Sequence, residues 1–351
     1  MPSASRKIGF ALLSVIIGLT AVELAARAME ALWPLAPTRP LPEPGAATCL
    51  PDCMPGLAAM PEQPEGLPRG IPMVPHGRRA WALPPNTEMV ETNVAVRVNS
   101  LALRGPELGA KAASELRLLT LGDSSVFGFG VRESAVFSSV AASQISEAWE
   151  RPVTPVIGAT PGYTSVQALH TLQDVGRVVQ PDIVVIATLW SDLFQSEVPL
   201  ERAGGQTHPL AAYRITTRLL APWLPAPTVG WIDGDVGESG RARVGLEQYT
   251  QTLEQLVAEV ERLGARPMIM VLPAPIDMDL EPAPARIQAY RGALVSVATR
   301  QGLAVVDGPD VFRRKRATNA DFFDQVHPSE SGHAKLGEAL AEILLAMDAP
   351  G

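Results

Sequence analysis

The sequence predicts an α/β fold in which helices cover both faces of a parallel sheet. Short apolar runs alternate along the chain with longer segments whose apolar residues recur at helical spacing. One run, 183–189 (IVVIATL), is almost continuously apolar, which is typical of a strand buried on both faces. The chain has 351 residues, of which 46% are hydrophobic, so it can form a large core and is not a mostly disordered protein.

The N-terminus predicts export from the cytoplasm. Arg6 and Lys7 precede the uncharged segment 8–22 (IGFALLSVIIGLTAV), which is the order found in secretory signals. With a few further apolar residues, this segment approaches the length of a membrane-spanning helix, which needs about 20 apolar residues. Because basic flanks stay in the cytoplasm, we predict a single-pass signal anchor over residues 1–33, with the remaining chain outside the cytoplasm. Cleavage at the small residues 26–28 would instead release a secreted protein.

Residues 34–90 predict an extended linker because they are rich in proline. Fourteen prolines fall between Pro34 and Pro85, with few periodic apolar positions among them. Cys49 and Cys53 lie in this segment, and the sequence leaves open whether they form a local disulfide or stay as free thiols. Two cysteines exclude a disulfide-stapled scaffold and a four-cysteine zinc site.

The remaining residues, 91–351, predict one folded domain with its core at 116–347. The predicted strands are 94–98, 116–121, 153–157, 183–189, 268–272 and 304–306. The predicted helices are 137–149, 164–179, 246–263, 286–300 and 329–347. Thr164 is suited to cap the second of these helices, and Gly264 is suited to end the third. Residues 195–245 interrupt the alternation with prolines, glycines and scattered aromatics, and we predict a long insertion or lid loop there.

Residues suited to nucleophilic catalysis follow the predicted strands. In doubly wound sheets, ligands bind beyond the carboxyl ends of the strands. Gly122, Asp123 and Ser124 come directly after one strand, where glycine permits a sharp turn and the N–H groups at the start of the next helix can stabilise an oxyanion. Asp324 and His327 lie close together near the C-terminus. A serine, a histidine and an acid are the parts of a nucleophile–base–orienter relay.

These residues, together with the blocks 158–164 and 189–192, resemble the motifs of the SGNH hydrolases, the GDSL-type esterases and lipases. The resemblance extends over residues 116–347, and segment 99–105 is similar to an N-S-x-x-x-R-G motif of membrane-anchored bacterial members. It implies a three-layer α/β/α sandwich with a flavodoxin-like parallel sheet. It also implies hydrolysis of esters or transfer of acyl groups, and it implies neither a cofactor nor a metal ion. For the predicted anchor, it implies a bacterial inner membrane with the catalytic domain in the periplasm.

The resemblance assigns a role to each motif residue. Ser124 would be the nucleophile and would donate its own N–H to the oxyanion hole. Gly162 would contribute a second backbone donor. His327 would be the general base, and Asp324 would orient it. The three-residue spacing of the acid and the base lets one loop present both to the nucleophile.

One position departs from the family pattern. The third block of the family reads Gly-x-Asn-Asp, whereas this chain has Leu189-Trp190-Ser191-Asp192. The family asparagine donates a side-chain N–H to the oxyanion, and the loss of one such donor typically costs about 10²–10³ in rate. Ser191 is the predicted third member of the oxyanion hole, donating through its hydroxyl directly or through a water molecule.

Other functional classes find little support in the sequence. The net charge is −8 and no basic face is evident, which argues against a nucleic-acid partner, and we interpret the basic run 313–316 as a solvated loop. There is no Gly-x-Ser-x-Gly elbow, phosphate-binding loop or dinucleotide motif. Asn99, Arg104 and Arg243 either approach the active site or cap structure locally, and the sequence leaves both interpretations open.

The sequence thus predicts a serine esterase that hydrolyses acyl or acetyl esters outside the cytoplasm through Ser124, His327 and Asp324. Two alternatives stay open. The anchor and the linker are compatible with an acyl- or acetyltransferase that acts on a cell-envelope glycan. Ser191 is compatible with a non-catalytic domain that binds an ester or a glycan. No recognisable motif encodes the identity of the ester or the oligomeric state.

Overall fold

The computed structural model describes residues 18–29, 71, 73–76, 78–92, 94–193, 211–212, 242–278 and 282–347. The strands within these ranges are β1 (Val74–His76), β2 (Ala80–Ala82), β3 (Thr87–Glu91), β4 (Val94–Val98), β5 (Leu116–Gly122), β6 (Val153–Ile157), β7 (Ile183–Ala187), β8 (Arg266–Val271) and β9 (Ala304–Asp307). The α-helices after residue 120 are α1 (Ser124–Phe127), α2 (Phe137–Ala148), α3 (Ser165–Val179), α4 (Trp190–Leu193), α5 (Leu246–Arg262), α6 (Ala285–Gln301), α7 (Gly308–Arg314) and α8 (Glu330–Leu345).

The centre of the domain is a five-stranded sheet in the order β6-β5-β7-β8-β9. All four pairings between these strands are parallel. Taken along the chain, the order is 2-1-3-4-5, which is the flavodoxin-like order that the sequence analysis predicts. The chain leaves β5 for β6 on one side and later returns to β7 on the other. The carboxyl end of β5 is therefore the switch point at which such sheets form their ligand sites.

Helices cover both faces of this sheet, so the predicted α/β/α sandwich is confirmed. On one face α2 packs against α8, and on the other α5 packs against both α3 and α6. Strands β5 and β7 are buried along their full length, which explains their almost uninterrupted apolar sequences. Helix α3 begins where the sequence predicts, since the N–H of Thr164 donates to the side chain of Gln167 at 3.0 Å.

The folded domain begins before residue 91, which corrects the predicted boundary of the linker. Within the predicted linker, β1 and β2 form an antiparallel hairpin, and β3 begins there and pairs antiparallel with β4. Leu83 and Met89 are fully buried and belong to the main core. Strands β1 and β2 have three residues each, which is too short for a recognisable alternating pattern. Pro84 and Pro85 lie in the turn between β2 and β3, so the prolines there belong to a turn and not to a linker.

Part of the predicted membrane anchor belongs to the described residues. Residues 18–29 form a helix on which Leu19 and Leu24 are exposed. Among the described residues, no helix combines the length and the apolar character needed to cross a bilayer. Outside the described residues lie 8–17, Cys49, Cys53 and most of the predicted insertion 195–245.

The basic run 313–316 begins in a helix, which corrects its interpretation as a loop. Arg314 lies in the last turn of α7, where its Nε is 2.7 Å from the carboxylate of Asp310. The Nζ of Lys315 is 2.6 Å from Glu338 of α8. Cations at the end of a helix also interact favourably with the helix dipole. The charges of Arg314 and Lys315 are thus paired with acids of this chain.

Candidate active site

Ser124 stands at the carboxyl end of β5, as the first residue of α1. A side chain at Gly122 would come within 2.6 Å of the carbonyl oxygen of Ala187, so only glycine allows β5 to turn this close to β7. Asp123 caps the short helix, because its Oδ1 accepts the N–H of Ser125 at 3.0 Å. Ser124 is half-buried, whereas Asp123 is fully buried. The local turn therefore presents the Ser124 side chain at the surface of the sheet edge.

The three residues of the predicted relay lie in one hydrogen-bonded chain. The Nε2 of His327 is 2.7 Å from the Oγ of Ser124. The Nδ1 of the same ring is 2.6 Å from the Oδ2 of Asp324. His327 is 3% exposed, so the ring has little room to leave this geometry. The arrangement can take a proton from the serine hydroxyl while a carboxylate stabilises the imidazolium that forms.

The turn that carries the acid and the base is fixed by its own hydrogen bonds. The Oδ1 of Asp324 accepts the N–H groups of Val326 and His327, each at 2.9 Å. The hydroxyl of Ser125 donates to the carbonyl oxygen of Val326 at 2.8 Å, which ties this turn to α1. One carboxylate thus shapes the loop with one oxygen and holds the imidazole with the other.

Electrostatic interactions shift the pKa values of both Asp324 and His327. Burial alone disfavours the imidazolium, but the Asp324 carboxylate overrides it and raises the pKa of His327 above its usual 6.5. Burial likewise disfavours the charged form of Asp324, and its interactions with His327 and two backbone N–H groups hold the pKa of this carboxyl below its usual 3.8. Near neutral pH the acid is therefore ionised, and its charge makes His327 a stronger base than a free imidazole.

An aromatic side chain covers the imidazole on its other side. The half-buried ring of Phe129 stacks on His327, with 4.7 Å between the ring centroids and 28° between their planes. The next residue, Gly130, donates its N–H to the buried carboxylate of Glu91 at 2.6 Å. Glu91 ends β3, so the N-terminal hairpin supports the loop that lies against the base.

Arg104 anchors the same loop. Its side chain is 2% exposed, and the guanidinium lies 4.8 Å from the centroid of the Phe127 ring. Its Nη1 and Nη2 atoms donate to the backbone carbonyl oxygens of Phe127, Gly128 and Val131. Asn99 directly follows β4, and its Oδ1 accepts the N–H groups of Leu101 and Leu103, which shapes the turn that leads to Arg104. Of the two interpretations open for Asn99 and Arg104, the structure favours the second: both side chains hold nearby backbone in place.

Replacement of Arg104 by methionine is expected to lower the free energy of unfolding by about 3 kcal/mol or more, because three carbonyl groups lose a charged donor. Urea denaturation measures this change. Arg97→Met is the matched control on β4: Arg97 is exposed and lies 3.5 Å from Glu133, so its loss is expected to cost less than about 1 kcal/mol. Equal losses for the two variants would contradict the role assigned to Arg104.

The predicted backbone donors of the oxyanion hole lie on neighbouring segments. The loop after β6 is tied to the end of β5, since the N–H of Thr160 donates to the carbonyl oxygen of Gly122 at 3.4 Å. Gly162 follows in this loop with φ +78°, a conformation that favours glycine. Within the described part of the chain, the N–H groups of Ser124 and Gly162 donate to no protein acceptor. Both are thus available to a ligand.

Ser191 reaches the same strand-end cluster, and donation from its hydroxyl to the oxyanion stays a prediction. It is 1% exposed, and its backbone N–H donates to the Oδ2 of Asp123 at 3.2 Å. The following residue, Asp192, accepts both the N–H and the hydroxyl of Ser165 at 2.9 Å and 2.6 Å, so it fixes the start of α3. Burial raises the pKa of Asp192 to about 7. The backbone donor of Ser191 is therefore already engaged by the acid next to Ser124.

Sequence reasoning missed three side chains that surround these groups. Phe129 and Glu91 belong to segments without a recognisable motif, and Trp81 lies in the predicted linker. The indole Nε1 of Trp81 donates to the carbonyl oxygen of Pro161 at 3.2 Å, and the hydroxyl of Tyr163 donates to the carbonyl oxygen of Trp81 at 2.6 Å. These side chains bind mostly backbone groups, and because every residue has a backbone, the sequence does not identify such contacts.

The hydrogen-bonded chain of Ser124, His327 and Asp324 lies at the switch point of the sheet, where folds of this class form their ligand sites. The sequence profile of the family described as "GDSL-like Lipase/Acylhydrolase family" matches residues 120–335. The chain belongs to this family, and it is a carboxylic ester hydrolase. No curated protein matches the chain in sequence.

Several solved structures are similar to this one. A lipase/acylhydrolase from Enterococcus faecalis has 16% sequence identity and a TM-score of 0.46, with 67% of this chain and 98% of that chain covered. A catalytic mutant of an acetylxylan esterase from Geobacillus stearothermophilus has 19% identity and a TM-score of 0.45, with 66% and 95% covered. An α/β hydrolase from the metagenome of Lake Arreo, Spain, has 19% identity and a TM-score of 0.45, with 68% and 98% covered.

Proposed function

We propose that this protein is a serine esterase that cleaves acyl or acetyl esters, with Ser124 as nucleophile, His327 as general base and Asp324 as the residue that orients the base. The observation that carries the proposal is the continuous chain of hydrogen bonds from Asp324 through both nitrogens of His327 to the Ser124 hydroxyl. A non-catalytic binding domain has no need of such a relay beside a half-buried serine and two unengaged backbone N–H groups.

The reaction follows from this geometry in two halves. The Oγ of Ser124 attacks the ester carbonyl carbon while His327 Nε2 takes the hydroxyl proton. The carbonyl oxygen becomes an oxyanion that accepts the N–H groups of Ser124 and Gly162. The intermediate then expels the alcohol, which receives the proton from His327. A water molecule, deprotonated by His327, attacks the acyl-enzyme, and the carboxylic acid leaves with Ser124 regenerated.

A series of aryl esters with acyl chains of increasing length tests this proposal on the full chain. We expect release of the phenol from acetyl and other short-chain esters. The chain length at which kcat/KM is highest then measures the length of acyl group that the site accepts. Absence of turnover for every chain length would contradict an esterase. Transfer of the acyl group to an added sugar, in preference to water, would instead identify the acyltransferase that the sequence leaves open.

We also propose that the catalytic domain works outside the cytoplasm, attached to the membrane by the N-terminal segment. This placement rests on the basic residues that precede the apolar run 8–22 and on the exposed apolar side chains of residues 18–29. Protease added to spheroplasts that express the protein is expected to degrade the domain. Complete protection of the domain while the membrane stays intact would contradict this placement.

A further inference from the structure

Arg243 lies beside the proposed oxyanion hole. The residue precedes α5, and its side chain is half-buried. Its Nη1 donates a hydrogen bond to the carbonyl oxygen of Gly162 at 2.9 Å. The guanidinium carbon lies 5.8 Å from the ring centroid of Trp81, within the range of a cation–π interaction. Arg243 is thus in direct contact with the residue that would supply the second backbone donor.

The charge of Arg243 also acts on the other two segments of the site. The guanidinium interacts electrostatically with Asp192, which follows Ser191, and with Asp123, which precedes Ser124. Both carboxylates are fully buried. Burial lowers the pKa of Arg243 to about 10 and the two carboxylates oppose this shift, so the side chain is positively charged near neutral pH. The Arg243 guanidinium therefore interacts with residues that follow the ends of three neighbouring strands, β6, β5 and β7.

Most donors of Arg243 have no acceptor in the described part of the chain. A guanidinium carries five N–H donors, and Gly162 takes one of them. The carboxylates of Asp123 and Asp192 accept hydrogen bonds from the backbone N–H groups of Ser125, Ser191 and Ser165 and from the Ser165 hydroxyl. The remaining donors of Arg243 are thus available to a bound molecule.

We propose that Arg243 is a catalytic residue that donates a hydrogen bond to the oxyanion, in the place left by the family asparagine that Ser191 replaces. The inference rests on the proposed function, because it requires the tetrahedral intermediate formed at Ser124. Arg243 binds the carbonyl oxygen of Gly162, the residue whose N–H would face the oxyanion. The proposal places a second nitrogen of the same guanidinium on that oxyanion.

The chemistry of the side chain suits this role. The planar guanidinium has adjacent N–H donors, so one nitrogen can donate to the carbonyl oxygen of Gly162 while another donates to the oxyanion. Ser191 is a weak substitute, since its backbone N–H is engaged by Asp123 and its side chain is shorter than asparagine. The negative charge on the ester oxygen develops only during the reaction. A cation at this position therefore stabilises the transition state more than the bound substrate, and its loss lowers kcat rather than raising KM.

Arg243→Gln, Ser191→Asn and the double variant, each made in the full chain and assayed with a neutral aryl acetate, test the proposal. We expect Arg243→Gln to lower kcat about 100-fold with KM changed less than about threefold. Ser191→Asn alone is expected to raise kcat, but by a smaller factor than in the Arg243→Gln background, because the wild-type site already has the donor of Arg243. Added to Arg243→Gln, it is expected to recover at least about tenfold, because it restores a donor to a site that then lacks one.

Arg262→Gln is the matched control at the far end of α5, where Arg262 is exposed and paired with Glu259, and its kcat is expected to equal that of the wild type. If Arg243→Gln fails to fold, Arg243→Lys keeps the charge without the planar fork and is expected to lower kcat about tenfold. An unchanged kcat in the folded variant overturns the proposal. So does a rise of KM confined to anionic esters, which would identify Arg243 as a ground-state binder. Loss of turnover in Ser124→Ala beside an unchanged Arg243→Gln overturns this inference alone and leaves the esterase intact.

Discussion

Ser124→Ala is expected to lower kcat for aryl esters by about 10⁴-fold or more, while the melting temperature stays close to that of the wild type. The substitution removes one oxygen, whose hydrogen-bond partner is the Nε2 of His327 at 2.7 Å. Ser124 is half-buried, and its replacement leaves the cap of α1 intact because that cap is made by Asp123. The loss is therefore a loss of the nucleophile and not of the fold.

Ser143→Ala is the matched control for this experiment. Ser143 is exposed on α2, and its replacement is expected to leave both kcat and the melting temperature unchanged. Labelling with an organophosphonate adds an independent readout, since it is expected to modify Ser124 in the wild type and no residue in Ser124→Ala. A variant that retains more than about a tenth of wild-type turnover would assign the nucleophile to another residue.

The sheet and the relay were predictable because their sequence patterns are local. Strands β5 and β7 are buried on both faces, so each is a continuous apolar run that periodicity detects. Asp324 and His327 lie in one turn, and their spacing reflects hydrogen bonds made within that turn. Ser124 follows a strand directly, so its position at the switch point follows once the strand is identified.

The contacts of the supporting residues were not predictable, because their partners are distant along the chain or are backbone atoms. Arg104 donates to three carbonyl groups that lie 23 to 27 residues away, and any sequence supplies carbonyl groups. Phe129 contacts a ring almost two hundred residues further along the chain. For Arg243, the sequence left open whether the side chain approaches the active site, and the acceptor of its hydrogen bond is again a backbone carbonyl oxygen, that of Gly162.

Asp324→Asn is expected to lower kcat by about 10³–10⁴-fold, although it preserves the size of the side chain. The two oxygens of Asp324 accept three hydrogen bonds, from the N–H groups of Val326 and His327 and from the His327 ring. Asparagine has one oxygen. If it stays with the backbone, the amide NH₂ faces the ring and forces the proton onto Nε2, which can then no longer accept a proton from Ser124.

The same variant tests the origin of the raised pKa of His327. In the wild type, kcat/KM is expected to rise with pH through a pKa above 6.5, because His327 must be neutral to act as the base and Asp324 favours its charged form. Asp324→Asn removes that charge while burial still disfavours the imidazolium, so the limb of the remaining activity shifts to lower pH. Profiles of kcat/KM between pH 4 and 9, as a working range around this pKa of about 6.5, measure the shift. A limb that stays in place, or moves to higher pH, would mean that another group than Asp324 sets the basicity of His327.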